Sequence, residues 1–117
     1  MEKSILTSIK KLLGLAEDYT NFDTDIIIHI NSAIMILSQL GVGPQDEAFQ
    51  ITSKKDKWSD LIDEDDDLEA VKTYIYLKVK MVFDPPQHGP TENALKESIQ
   101  EYEWRLCHQA EMNEKGV

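Results

Sequence analysis

Alternating aspartates in the middle of the chain come nearest to a known ligand-binding pattern. Asp63, Asp65 and Asp67 match the first three alternating carboxylates of an EF-hand calcium loop. The match ends there, because Leu68 stands where the sharp turn needs glycine, and lysine and threonine occupy the region of the bidentate glutamate. We therefore expect no metal site.

The acidic run as a whole has two further interpretations. It could cap and charge-stabilise the N-terminus of the helix that follows it. It could equally form a negative surface that faces something to which the protein must not adhere. The sequence does not separate these alternatives for the run Asp63, Glu64, Asp65, Asp66 and Asp67.

Nucleophiles and general acids or bases do not combine into a catalytic pattern. His29, His88 and His108 belong to different predicted elements, and none has a suitably spaced carboxylate or cysteine. Cys107 precedes His108 on a predicted helix, where adjacent residues point in different directions. The glycines at 41 and 43 lack the lysine and hydroxyl residue of a P-loop. We expect no enzyme activity, no catalytic residue and no cofactor.

One compact basic segment could suit nucleic acid. Lys54, Lys55 and Lys57 precede Trp58, and lysines beside an aromatic ring are typical of single-strand binders. The whole chain argues against this function, because 22 acidic residues face 12 basic ones and the net charge is −10. Its single arginine, Arg105, further limits bidentate phosphate recognition.

Length and composition indicate one globular domain spanning residues 1–117. The chain is 41% hydrophobic and has only 5 glycines and 4 prolines, which excludes collagen-like and fully disordered classes. A single cysteine cannot close an intrachain disulfide, which favours a reducing, intracellular origin. The longest apolar run, Ala33 to Leu37, is too short for a membrane span, and the N-terminus has no secretion signal.

Apolar residues repeat at helical spacing in the N-terminal half of the chain. Ser4 to Leu13 predicts a short helix that ends at Gly14. A longer helix follows, with Asn21, Asp23 or Thr24 as its cap. Gly41 and Gly43 should end this second helix.

The C-terminal half predicts two more long helices. Residues 44–57 lose the helical period, Trp58 to Ile62 form one apolar turn, and a third long helix begins near Leu68. Pro85 and Pro86 should end it, and a last helix should begin at Thr91. The fold class is therefore all-α: a small bundle of four to five helices with an irregular excursion or short β-hairpin between the second and third long helices. Residues 110–117 are expected to form a flexible tail.

The last helix carries the candidate protein interface. Trp and Arg are enriched at binding hot spots, although packing of the tryptophan in the core is an equally good interpretation. Prolines and a glycine before this helix could act as a hinge for a moving or docking element. The candidate interface residues are Tyr102, Trp104, Arg105 and Leu106, and the hinge residues are Pro85, Pro86, Gly89 and Pro90.

The order of these segments resembles the head-tail connector (adaptor, or head completion) proteins of long-tailed bacteriophages. The resemblance covers about residues 5–106 and is carried by an opening IKKLLGL, an acidic FDTDIIIHINSAIMILSQLGVG, a KWSDLI turn, YLKVKMVFDPP and a closing EYEWRL.

The resemblance implies a structural phage or prophage protein that forms a ring of about a dozen copies beneath the portal. Such a ring extends the DNA channel and offers a docking surface to the next connector or tail protein. DNA would be only a non-specific passenger, and residues 63–67 would be candidates for a repelling channel wall. The implied location is the head-tail interface of the virion, after assembly in the bacterial host cytoplasm.

A second hypothesis assigns the protein a regulatory function that is unrelated to phage assembly. An acidic helical regulatory or inhibitory module could bind a basic protein through Asp60 to Glu69, since opposite charge steers association. Capture of a basic cellular protein in place of a portal would favour this alternative.

Overall fold

A computed structural model describes residues 3–45, 49–62 and 68–114, with side chains to residue 112. These residues form five helices: α1 (Ile5–Leu12), α2 (Asp23–Gln39), α3 (Trp58–Leu61), α4 (Leu68–Phe83) and α5 (Gly89–Glu114). The all-α prediction is confirmed. None of the helices described is long and apolar enough to cross a bilayer.

Helix α4 lies at the centre of the bundle. It packs against α2 on one side and α5 on the other, and α1 contacts both α2 and α4. Its apolar residues cover much of its circumference, and it can therefore pack against several helices at once. The core consists of Ile5, Leu6, Ile9, Ile26, Ile30, Ala33, Ile34, Leu37, Val42, Ile51, Trp58, Leu61, Val71, Tyr74, Ile75, Val79, Ile99 and Leu106.

The ends of α1 and α2 follow local signals with one exception. Ser4 caps α1 by accepting a hydrogen bond from the Thr7 N–H at 3.2 Å. At α2, the predicted caps were wrong: Phe22 occupies the cap position and makes no side-chain cap hydrogen bond. Asp23 instead lies in the first turn, where a carboxylate stabilises the helix dipole.

Two glycines end α2, as predicted. Gly41 has φ +93° and Gly43 has φ +90°, a left-handed conformation that favours glycine. A Cβ at Gly41 would also lie 3.1 Å from the Cβ of Ala110 on α5. This glycine therefore permits both the turn and the close approach of α5.

The segment between α2 and α3 is held by side chains. The Asn31 amide donates to the Ile51 carbonyl at 3.0 Å, and its oxygen accepts from the Ile51 N–H at 2.8 Å. Across residues 49–57, the backbone pairs in β fashion only through an isolated bridge from Lys57 to Ser4, so no hairpin is formed there. Instead, the side chain of Asn31 on α2 satisfies both backbone hydrogen-bonding groups of Ile51.

Helices α4 and α5 are joined by residues 84–88. Helix α4 ends at Phe83, just before the two prolines, as expected from their missing N–H groups. Helix α5 begins at Gly89, two residues before the predicted Thr91, because proline is tolerated in a first helical turn. It continues through Glu114, with Ala110 half-buried, whereas residues 115–117 of the predicted tail lie outside the described residues.

Candidate functional site

The outward side of α5 presents a large exposed aromatic ring. Trp104 is 67% exposed. Its ring stacks on the His108 imidazole, with centroids 5.4 Å apart and planes 3° from parallel. Arg105 donates to the Glu101 carboxylate from Nε at 3.1 Å and from Nη2 at 2.8 Å. We call Glu101, Trp104, Arg105 and His108 the Trp104 face.

The other two predicted interface residues lie on the inward side of α5. Leu106 is buried in the core, and Tyr102 is half-buried against it. Residues four apart share a face of a helix, whereas Trp104 is rotated by about 200° from Tyr102. The structure therefore separates the predicted set, and only Trp104 and Arg105 are exposed to an external partner.

A polar contact joins α5 to the core of the bundle. The buried Tyr74 hydroxyl on α4 donates to Glu103 Oε2 on α5 at 2.7 Å. Burial raises the pKa of Tyr74 well above its usual range, and the hydrogen bond to Glu103 and its negative charge add to the effect. The phenol therefore remains a hydrogen-bond donor at neutral pH.

We expect Tyr74→Phe to lower the free energy of unfolding by about 1 to 2 kcal/mol, because a hydrogen bond to a charged group is lost. The variant should also change how the free energy of unfolding depends on pH in alkaline solution. The ordinary tyrosine pKa is 10.0, and the folded pKa is higher, so the folded state retains a proton that the unfolded state loses. Wild-type stability should then fall as pH rises above about 10, and the variant should lack that contribution.

Urea unfolding at neutral pH and near pH 11 would measure both effects. Tyr19→Phe is the matched control, because Tyr19 is 40% exposed. If the free energy of unfolding fell equally with rising pH in the Tyr74 variant and the wild type, Tyr74 would not be the source of the alkaline effect.

The predicted hinge lies where it could act on α5. Pro85 and Pro86 belong to the connection 84–88, whereas Gly89 and Pro90 form the start of α5 itself. A Cβ at Gly89 would meet no atom within 4 Å, so the space around it is open. Hinge motion stays a prediction.

The titratable residues singled out in the sequence are dispersed. His29 lies on α2, His88 in the connection before α5, and His108 on the Trp104 face. The Cys107 Sγ lies 3.9 Å from Glu111 Oε1, one turn further along α5. Within residues 3–45, 49–62 and 68–114, no three His, Cys, Asp or Glu side chains are grouped to hold a metal ion. The acidic run, residues 63–67, lies outside the described residues.

The basic segment is separated from its tryptophan. Lys54, Lys55 and Lys57 are exposed, but Trp58 is only 3% exposed. Its Nε1 donates to Ser8 Oγ at 2.9 Å, and Lys72 Nζ lies 5.5 Å from its ring centroid. The indole is therefore part of the core and has no free face on which a base could stack.

A second exposed aromatic surface was missed by the sequence analysis. The rings of Tyr19 and Phe22 lie 5.8 Å apart, and those of Phe22 and Phe83 lie 5.2 Å apart, both edge to face. We call Tyr19, Phe22 and Phe83 the aromatic patch. Periodicity gave no signal for it, because its members come from a loop, a helix start and a helix end.

A protein-family model described as "Phage connector protein" matches residues 5–113, which is nearly the whole chain. The chain belongs to the phage connector protein family. The predicted resemblance is therefore confirmed. Family membership implies a structural component of the virion that interacts with other phage head or tail proteins. Neither a curated protein nor a solved structure matches this connector significantly.

Proposed function

We propose that this connector forms a closed ring of about a dozen copies beneath the portal, extends the DNA channel and supplies a docking surface for the next head completion or tail protein. The family match over residues 5–113 carries the proposal. The contiguous rings of Tyr19, Phe22 and Phe83 support it, because an apolar patch at a surface commonly marks a protein interface. The role is structural and involves no catalytic step.

Native mass spectrometry with negative-stain imaging tests this function directly. The chain would be measured alone and mixed with the portal protein of the same phage. A ring of about a dozen copies, formed alone or only on the portal, is the expected result. A persistent monomer that ignores the portal but binds a basic cellular protein would instead support the regulatory module.

The Trp104 face is our proposed contact with the portal. Its indole is exposed and stacks on His108, and a side chain already in contact with a neighbour loses less entropy on binding than a free one. Tryptophan and arginine are both enriched among hot-spot residues. The connection 84–88 would act as the hinge that lets α5 adjust to the portal, while the Tyr74–Glu103 hydrogen bond holds α5 on α4 in the free chain.

We expect Trp104→Ala to weaken portal binding by about 30-fold or more, the effect of losing a hot-spot residue worth about 2 kcal/mol. The free energy of unfolding should change by less than about 0.5 kcal/mol, because the ring is exposed. Surface plasmon resonance on immobilised portal would measure the affinity. Ile28→Ala on α2 is the matched control, since Ile28 is 58% exposed. Unchanged portal affinity of the Trp104 variant would rule out this face.

A further inference from the structure

The exposed lysines gather on one surface near the start of α1. Trp58 N–H donates to the Lys3 carbonyl at 3.0 Å, and the bridge between Ser4 and Lys57 brings Lys3 beside the segment 54–57. Lys3, Lys54, Lys55 and Lys57 are all exposed, and no described carboxylate pairs with their ammonium groups. We call these four residues the lysine loop.

The carboxylates near the lysine loop are already engaged. Asp56 Oδ2 accepts from the N–H groups of Thr52 and Ser53 at 2.7 and 3.2 Å. Asp60 Oδ2 accepts from the Lys57 N–H at 3.0 Å. Both carboxylates therefore fix the backbone that presents the lysines, and the ammonium groups point to solvent.

The aromatic patch has the opposite charge at its edge. Glu17 and Asp18 precede Tyr19 in the loop, and Asp25 follows Phe22 by one helical turn. All three side chains are exposed, and no lysine or arginine within the described residues pairs with them. The patch thus combines exposed rings with a rim of unpaired carboxylates.

The two surfaces lie at opposite ends of α4. Lys72, over the Trp58 ring, marks the end next to the lysine loop, and Phe83 marks the end at the aromatic patch. Eleven residues of α-helix separate them, which corresponds to about 16 Å. One molecule cannot bring its own two surfaces together without losing α4, but two molecules can.

We propose that the lysine loop of one copy binds the aromatic patch of the next copy, and that this contact closes the ring. The inference rests on the proposed function and names the surfaces that it needs. Each surface repels its own kind by charge, so a symmetric dimer is disfavoured and a head-to-tail contact is favoured. Lysine stems can cover the rings of Phe22 and Tyr19 while the ammonium groups meet the carboxylate rim. Such local attraction is needed because whole chains of net charge −10 repel each other.

A charge swap tests the contact. Lys54→Glu/Lys55→Glu changes the summed charge of the lysine loop, Asp56 and Asp60 from +2 to −2. Glu17→Lys/Asp18→Lys changes the summed charge of the rim (Glu17, Asp18 and Asp25) from −3 to +1. All four substituted positions are exposed and lie outside the helices. Native mass spectrometry would count copies per complex with the portal. Each double variant should reduce ring formation about tenfold or more, and the quadruple variant should restore it. Lys96→Glu on α5, another exposed lysine, should leave ring formation unchanged.

Mixing the two double variants adds a second readout. Alone, each double variant presents two surfaces of like charge, so its copies repel one another. The two reversed surfaces attract each other and the two native ones do as well, so alternating rings should form from the mixture although neither variant forms rings alone.

The outcomes separate the inference from the proposed function. Wild-type-level rings from either double variant alone would overturn the inference and leave the ring function intact. A quadruple variant that is folded by circular dichroism but forms no ring would also overturn it. If the wild-type chain neither binds the portal nor forms a ring, the proposed function fails and this inference fails with it.

Discussion

Replacing Asp23 by alanine should lower the free energy of unfolding by about 3 kcal/mol, because it leaves a buried ammonium group without its counter-ion. The Lys10 side chain is only 3% exposed, and its Nζ lies 2.9 Å from Asp23 Oδ1. The Lys10 Nζ also donates to the Glu17 backbone carbonyl at 3.0 Å. The pair ties α1 to the start of α2 and to the loop between them.

Urea unfolding followed by circular dichroism measures the loss. Asp25→Ala is the matched control, since Asp25 also lies in the first turn of α2 but is exposed. Both variants lose the favourable contact with the helix dipole, so their difference isolates the ion pair. Adding Lys10→Met to the Asp23 variant should recover part of the loss, because no buried charge then remains. Equal losses in the Asp23 and Asp25 variants would contradict this account.

Trp58→Ala should cost about 3 to 5 kcal/mol, the range for removing a buried aromatic side chain. The indole fills the space between α1, α3 and α4, and its Nε1 donates to Ser8 Oγ at 2.9 Å. Its removal creates a cavity and leaves the Ser8 hydroxyl without that donor. Loosening of α3 should follow, because Trp58 is the first residue of that short helix.

The second tryptophan supplies the control. Trp104→Ala makes the same chemical change at a position that is 67% exposed, so thermal and urea unfolding should shift little. Ser8→Ala should cost about 1 kcal/mol and shows how much of the Trp58 effect is the hydrogen bond. Similar destabilisation by the two tryptophan variants would refute the assignment of Trp58 to the core.

Local sequence signals determined the helical elements of this connector. The glycines at 41 and 43 and the prolines at 85 and 86 end helices because of backbone conformations that neighbours hardly alter. The apolar spacing from Ser4 to Leu13 also predicted the first helix, which the structure has as α1 (Ile5–Leu12). These properties depend on residues within one or two helical turns, so the local amino-acid sequence is enough to predict them.

The candidate sites depended on residues far apart in the chain. The sequence placed Trp58 both beside the basic residues 54–57 and in a predicted apolar turn, and it left Trp104 undecided between core and surface, because residue type alone does not set burial. Trp58 is buried because it packs against Ser8, which lies 50 positions away in the sequence. Trp104 is exposed because α5 directs Leu106 into the core and Trp104 to the opposite side. In the same way Phe83 meets Phe22 only after α2 and α4 have packed together. Local periodicity thus determined the helices of this protein, whereas only the tertiary structure decided which aromatic rings are buried and which form surfaces, because long-range packing sets solvent exposure.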